Sequence, residues 1–206
     1  TQFIIPRLHK MYSNFSEKVR TIKEIKSLGR KVSLDGEEYD FVVDCRGYPE
    51  DYSNYIISDK VYLDSAIAIR SYTPGDWEYT YHIAHENGWM FGLPLQSRTG
   101  WGYLYNSKIT SQLEAQDDVS KILEEYQIEF HSKDCREFSF KNYYAKNIVN
   151  EDGNIFVNGN RALFLEPIQA TSLGCYGLIN DMILDRIEND VYDNQKYLDI
   201  MNEVIM

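Results

Sequence analysis

The stretch GWMFGLPLQSRTGWGYLY, residues 88–105, combines large aromatic side chains with four glycines. Two segments rich in apolar and aromatic residues flank a turn signal at residues 98–100, and this pattern predicts two strands joined by a short link. Trp89, Phe91 and Trp101 lie among glycines that permit close backbone approach. Two interpretations are equally open: a surface on which a planar ligand stacks, or the aromatic core of a sheet.

Regular elements are predicted on both sides of this stretch. Upstream, residues 61–72 and 79–86 read as two further strands, so four successive strands would form an antiparallel meander with one face free to line a cavity. Downstream, residues 111–127 predict a helix, because Ser111 and Glu114 form a capping box before apolar residues at helical spacing. These elements indicate a sheet with a helix packed against it.

The flanking regions complete a mixed α/β chain. Residues 19–45 predict short strands and turns, and the run YDFVVDC, residues 39–45, is typical of a strand buried on both faces. An apolar stripe of Tyr176, Ile179, Ile183 and Ile187 predicts a helix that continues to about Ile187, followed by a second helix. Short strands are also expected near residues 137–140, 144–149 and 155–157.

Composition narrows the possible partners. The net charge of −11 argues against nucleic acid and anionic membranes as partners. Three widely spaced cysteines, Cys45, Cys135 and Cys175, predict neither a disulfide framework nor a zinc ribbon, so a reducing cytoplasm is expected. The chain has no apolar run long enough to span a membrane. Its first residue is not Met and it ends abruptly at VIM, which predicts a fragment of a larger protein, with post-translational trimming as the alternative.

The segment HIAHE, residues 82–86, looks superficially like a metal site. On a strand, His82 and His85 would point to opposite faces and could not share one ion, so no metal site is predicted and both histidines are expected to be partly buried and hydrogen-bonded. Most carboxylates are expected on a solvated helix face, for example Asp117, Asp118, Glu124 and Glu125.

The stretch FLEPIQATSLGCYG, residues 164–177, predicts a strand end followed by a helix start. Pro167 would stop the strand, and Thr171 or Ser172 would serve as the N-cap. Backbone N–H groups and the positive end of the helix dipole would then attract an anion or a carbonyl group. An ordinary capped helix packed on a sheet is the alternative.

Several motifs together resemble one enzyme family. Residues 88–105 resemble the signature of the flavin-dependent halogenases, the tryptophan-halogenase family, which reads G-W-x-W-x-I-P-L and then R-x-G-x-G-Y. Residues 159–173 resemble that family's Gly-Asp flavin motif followed by F-x-E-P-L-E-S-T-G. Residues 39–47 and 63–69 are similar to the second flavin-domain strand and the segment after it. The motifs follow the family's order across roughly residues 32–189.

The resemblance implies a partial FAD-dependent monooxygenase/halogenase-like fold. Residues 1–60 and 144–190 would be flavin-domain portions, and residues 61–143 an antiparallel sheet and helix facing the substrate. The implied activity is halogenation of an aromatic, tryptophan- or indole-like compound. FADH2 from a flavin reductase would form a flavin hydroperoxide with dioxygen, and chloride or bromide would be converted to hypohalous acid.

The resemblance also assigns site residues. The catalytic positions would be Trp89, Phe91 and Gln169, and the halide positions Thr171 and Ser172. The cofactor-binding positions would be Gly47, Pro94, Gly159, Asn160, Glu166 and Pro167.

Some of these residues depart from the family pattern. Phe91 replaces a tryptophan, Asn160 an aspartate and Ser172 a glycine. Gln169 stands where the family has the glutamate that partners its catalytic lysine, and an amide cannot take up a proton or neutralise an ammonium group. Neither the G-x-G-x-x-G motif nor the lysine that follows it occurs, so weak FAD retention and no turnover by this piece alone are expected. A hydroxylating flavin monooxygenase and a non-catalytic flavin-binding fragment are the alternatives.

Overall fold

The computed structural model describes residues 10, 11, 14, 16, 18 and 20–205. The side chains of Ser132, Gln169 and Ile205 lie outside this description, as does Val19, where the first strand-rich region was predicted to begin. The chain divides into two compact units, residues 1–42 with 150–155 and residues 43–149 with 156–206.

The smaller unit contains a three-stranded antiparallel sheet. Its strands are β1 (Ile25–Ser27), β2 (Val32–Leu34) and β3 (Glu37–Tyr39), paired in chain order. The turn at Asp35 and Gly36 has positive φ at both positions, which explains why an Asp-Gly pair occurs there.

The larger unit is organised around a five-stranded antiparallel sheet. Its strands are β6 (Ser65–Ser71), β7 (Tyr81–His85), β8 (Gly88–Leu95), β9 (Arg98–Tyr105) and β10 (Cys135–Ser139), in the spatial order β10-β6-β9-β8-β7. The predicted four-strand meander is therefore wrong at one position. Strand β6 pairs with β9 and β10, because the nine-residue connection from 72 to 80 lets the chain cross to the far edge of the hairpins before β7 begins.

One face of this sheet packs on helix α1 (Gln112–Glu125). Met90, Trp101 and Tyr103 are buried against the helix residues Val119 and Ile122, and this apolar contact is the first core of the unit. The capping box is confirmed, since the Ser111 side chain accepts from the Glu114 amide and the Glu114 carboxylate accepts from the Ser111 amide.

The prediction for Asp118 is wrong. Asp117, Glu124 and Glu125 are exposed as expected, but Asp118 is only 1 % exposed and faces the sheet. Burial is possible because its carboxylate accepts hydrogen bonds from Tyr103 Oη at 2.6 Å and from the Asn87 amide at 2.9 Å.

A second core forms around the C-terminal helices. Phe156, Leu163, Ile179, Ile183 and Tyr197 are buried together. The three-stranded sheet that contributes to this region comprises β5 (Tyr55–Ile57), β11 (Tyr143–Ala145) and β13 (Leu163–Phe164). The helices are α2 (Thr171–Asn189) and α3 (Asn194–Ile205).

The run at residues 39–45 is less buried than predicted. Tyr39 ends β3, the next strand is β4 (Val42–Asp44), and the sheet partner of β4 is β12 (Ile155–Val157). Val43 is 44 % exposed, since a two-stranded sheet does not cover both faces of its members, and Phe41, just before β4, is 41 % exposed. The mixed α/β class with antiparallel sheets is confirmed. No helix within the described residues is long and apolar enough to cross a membrane.

Candidate functional site

The open face of the five-stranded sheet lines a cleft of about 560 Å³. His82, Phe91 and Leu93 form the sheet wall of this cleft, together with Thr80 just before β7. The other wall comes from a segment about 70 residues further along the chain and includes Asn160, Phe164, Pro167, Ser172, Leu173 and Tyr176. All these residues belong to the larger unit. The cleft is mostly apolar with a few polar groups, the composition that small-molecule sites share.

A glycine positions the aromatic ring in the sheet wall of the cleft. Gly102 lies opposite Phe91 in the sheet, and a Cβ added at Gly102 would lie 2.4 Å from the Phe91 ring. The missing side chain therefore lets Phe91 lie flat over β9. Trp89 lies on the same face, with its ring 6.1 Å from that of Phe91 and 5.4 Å from that of His82. Trp89 supports residues that line the cleft without lining it itself.

The opposite wall holds Asn160 firmly in place. Tyr176 Oη donates to Asn160 Oδ1 at 2.5 Å, and Tyr143 Oη donates to the Asn160 backbone carbonyl. The preceding Gly159 has a positive φ of 61°, and its amide donates to Asn158 Oδ1 at 2.7 Å. Because Asn160 Oδ1 already accepts from Tyr176, the side chain can offer its Nδ2 group as a donor to a ligand.

The start of α2 differs from the predicted N-cap. A 3₁₀ turn at Ile168–Ala170 precedes the helix, so Thr171 is already helical and Ala170 occupies the cap position with a positive φ of 54°. Thr171 Oγ1 therefore donates back to the Ile168 carbonyl at 3.1 Å. Ser172 Oγ accepts from the Leu165 amide at 3.1 Å and ties the end of β13 to the helix. Of the two proposed halide residues, Ser172 lines the cleft and Thr171 does not.

Glu166 lies between two residues that line the cleft, Leu165 and Pro167. Its side chain is half-buried, and its Oε2 atom is buried without a hydrogen-bond partner among the described residues. Burial raises the pKa of this carboxyl above its ordinary value. An unpartnered buried carboxyl of this kind favours its neutral form.

Three other residues predicted for the site lie elsewhere or are only partly described. Pro94 pairs with Thr99 in the sheet and alternates with Leu93, so it faces away from the cleft. Gly47 follows β4 in a turn with a positive φ of 88° and does not line the cleft. Gln169 belongs to the 3₁₀ turn before α2, and the prediction for its side chain falls outside the described part of the structure.

Sequence reasoning missed two residues that the structure brings into the cleft. His82 was expected to be partly buried but is exposed on the sheet wall, opposite Phe91. His85 points to the other face, where its Nδ1 lies 3.0 Å from Asp118 Oδ1, so the predicted divergence of the two histidines is confirmed. Tyr176 was recognised only as part of an apolar helix stripe. Two signals could have found them. Alternate residues of β7 face the same side of the sheet, and residues four apart in a helix, such as Ser172 and Tyr176, share a face.

Comparisons with known proteins point to one family. A family model described as tryptophan halogenase matches residues 13–199. The chain is 27% identical over 154 residues to tryptophan 7-halogenase KtzQ of Kutzneria sp., covering 65% of this chain and 26% of that protein. It is 26% identical over 147 residues to tryptophan 7-halogenase RebH of Lentzea aerocolonigenes, again covering 65% and 26%. The chain therefore spans about a quarter of the length of these curated relatives.

Solved structures show the same fold. A tryptophan halogenase from Shewanella frigidimarina matches with a TM-score of 0.62 and 21% identity, over 89% of this chain and 40% of that one. Tar14, a tryptophan C-6 flavin-dependent halogenase from taromycin biosynthesis, matches with a TM-score of 0.64 and 20% identity, over 91% of this chain and 39% of that one. At these identities the likeness shows the fold alone.

Proposed function

The chain belongs to the tryptophan halogenase family, and we propose that it forms the flavin- and halide-facing part of an enzyme that halogenates an aromatic compound. One observation carries the proposal. The two segments that resemble family motifs, residues 88–105 and 159–173, supply the two walls of one cleft although they lie far apart in the chain. A structural role for each motif alone would not require them to meet.

The residues of the cleft fit a flavin. Phe91 and Phe164 offer flat apolar surface for a tricyclic ring, and the amide nitrogen of Asn160 can donate to a carbonyl or ribityl oxygen. FAD bound there in its reduced form would supply the activation of dioxygen. The chain's own part is to hold the ring, exclude water and position the halide.

The start of α2 suits the halide. Ser172 and Leu173 belong to the first turn of the helix and line the cleft, where the helix dipole and amide hydrogens favour an anion. Burial of the nearby Glu166 raises the pKa of its carboxyl. We assign Thr171 a supporting role, because its hydroxyl bonds to Ile168.

Membership of the family supports proposals for the substrate and the partner. We propose an aromatic, indole-like substrate, a flavin reductase that supplies FADH2 and a cytoplasmic location. Gln169 would orient a lysine by hydrogen bonding, without the proton transfer that a glutamate allows.

The test uses the natural polypeptide that carries these residues, supplied with FAD, a flavin reductase, NADH and bromide. Indole and tryptophan should yield products with the paired isotope masses of bromine, and omission of bromide should abolish them. A product that gains oxygen whether or not halide is present would instead identify a hydroxylase. Failure to bind reduced FAD would contradict the proposal at its first step.

A further inference from the structure

A second cleft of about 340 Å³ adjoins the candidate site at Phe91 and Leu93. Four cationic side chains line this cationic cleft: Arg70, Arg98, Lys133 and Arg136. They converge in a chain whose net charge is −11. A local excess of positive charge on a strongly acidic protein concentrates anions at that place.

The sheet register explains how the two clefts join. Arg136 lies opposite Ala68, and the row continues across the sheet through Gly102 to Phe91. In the next row, Arg70 lies opposite Gly100, which lies opposite Leu93. Between the cations and the two apolar residues, the sheet surface therefore carries only Ala68, Gly100 and Gly102. We call the surface of these three small residues the strip.

The floor of the strip is open at Gly100. A Cβ added at Gly100 would meet nothing within 4 Å, whereas one added at Gly102 would strike Phe91. The open space leads from the cations towards the wall of the candidate site. A flat ligand could lie along it, with one end at each cleft.

The charges of the four cationic side chains are not neutralised by ion pairs within the described part of the chain. Within the described part of the chain, none of them takes part in an ion pair or a side-chain hydrogen bond, whereas Arg46, Lys121 and Arg186 are all paired with carboxylates. The one carboxylate in the lining, Asp134, accepts from Tyr72 Oη at 3.1 Å. One carboxylate against four cations leaves the cleft strongly positive.

We propose that the cationic cleft binds the anionic group, a phosphate or a carboxylate, of a ligand whose aromatic part lies along the strip towards Phe91 and Leu93. Guanidinium groups match both anions through paired N–H donors, and three of the four cations are arginines. The identification of this ligand as the halogenation substrate rests on the proposed function. The binding of an aromatic anion does not.

The experiment titrates the chain, without flavin, with 1-naphthyl phosphate, 1-naphthoate and 1-naphthol by calorimetry. At least one anion should bind roughly tenfold or more tightly than the neutral naphthol, and the tighter anion identifies the group that the cleft selects. The double variant Arg70→Gln/Arg136→Gln should lose that advantage. Lys108→Gln/Lys196→Gln removes the same charge at exposed lysines outside the cleft and should change the affinity less than about twofold.

A further variant tests the strip without changing charge. Gly100→Val should keep the circular dichroism spectrum, because its side chain enters open space, and should weaken anion binding by obstructing the floor. Equal affinity for naphthol and both anions, or equal losses in the cleft and control variants, would overturn the proposal. If the natural polypeptide binds the anion but does not brominate either substrate, the proposed function is contradicted and the proposed anion site is supported.

Discussion

At the scale of single residues, the buried Asp118 carboxylate joins helix α1 to the sheet. It accepts from Tyr103 Oη and from both nitrogens of Asn87, and His85 lies beside its other oxygen. Burial raises the pKa of this carboxyl, but the hydrogen bonds from Tyr103 and Asn87 and the nearby His85 outweigh burial, so the pKa lies below its usual value. The side chain is therefore charged and depends on its donors.

Removing one donor should expose that dependence. Tyr103→Phe takes one hydrogen bond from a buried charge and should lower the free energy of unfolding by about 2 kcal/mol. The measurement is urea denaturation followed by circular dichroism. Tyr62→Phe is the matched control, since Tyr62 is 71 % exposed, and it should change stability by less than about 0.5 kcal/mol. Equal losses in the two variants would refute the role given to Asp118.

Glu166 should make stability depend on pH. Its pKa is raised in the folded state, so the folded protein holds that proton more tightly and loses stability as pH rises from the ordinary glutamate range through the raised pKa. Glu166→Gln should be more heat-stable than the parent at about pH 8, and the gap should close at about pH 4. Glu124→Gln, at an exposed site on α1, should show no such trend. A pH-independent gap would place the cause elsewhere.

At the scale of elements, strand β9 carries two glycines with opposite environments. Gly102 leaves room for the Phe91 ring, whereas Gly100 borders open space. Both lie two residues apart in one strand and face the same side of the sheet. They form a natural pair for testing whether glycine positions the floor of the candidate site.

Gly102→Ala should lower the free energy of unfolding by about 1–3 kcal/mol, because its methyl group must displace the Phe91 ring. Gly100→Ala should be neutral or slightly stabilising, because alanine in a strand has less backbone freedom to lose. Chemical denaturation of both variants measures the difference. If Gly102→Ala is as stable as Gly100→Ala, Phe91 does not depend on the missing side chain.

Elements set by local chemistry were predictable from the sequence. The α1 capping box and the β8–β9 pair follow from neighbouring residues, and both are present. The turn between the two strands lies at Gln96 and Ser97, however, and the predicted turn residues 98–100 belong to β9. The pairing of β6 with β9 was not predictable, because it depends on where a nine-residue connection delivers the chain. The cap of α2 was mispredicted because the preceding 3₁₀ turn moves Thr171 into the helix, and strand-end geometry rather than residue type decides that shift.

At the scale of the whole molecule, the candidate site exists only in the fold. The sequence motifs identified residues 88–105 and 159–173 as candidate site segments, and the structure brings both to one cleft. His82 and Tyr176 could not be assigned to that cleft from the sequence, because the residues that face each of them across it are roughly 80 or more residues away in the chain. The strip of small residues that joins the two clefts likewise depends on the register of three strands.

Anomalous scattering of bromide, in crystals of the natural polypeptide grown with FAD, tests most directly whether this cleft binds the flavin and the halide. We expect a bromide peak in the cleft beside Ser172 and Leu173, with the flavin ring between that helix start and the Phe91 wall. A map in which bromide binds elsewhere while this cleft holds neither ion nor flavin would contradict it.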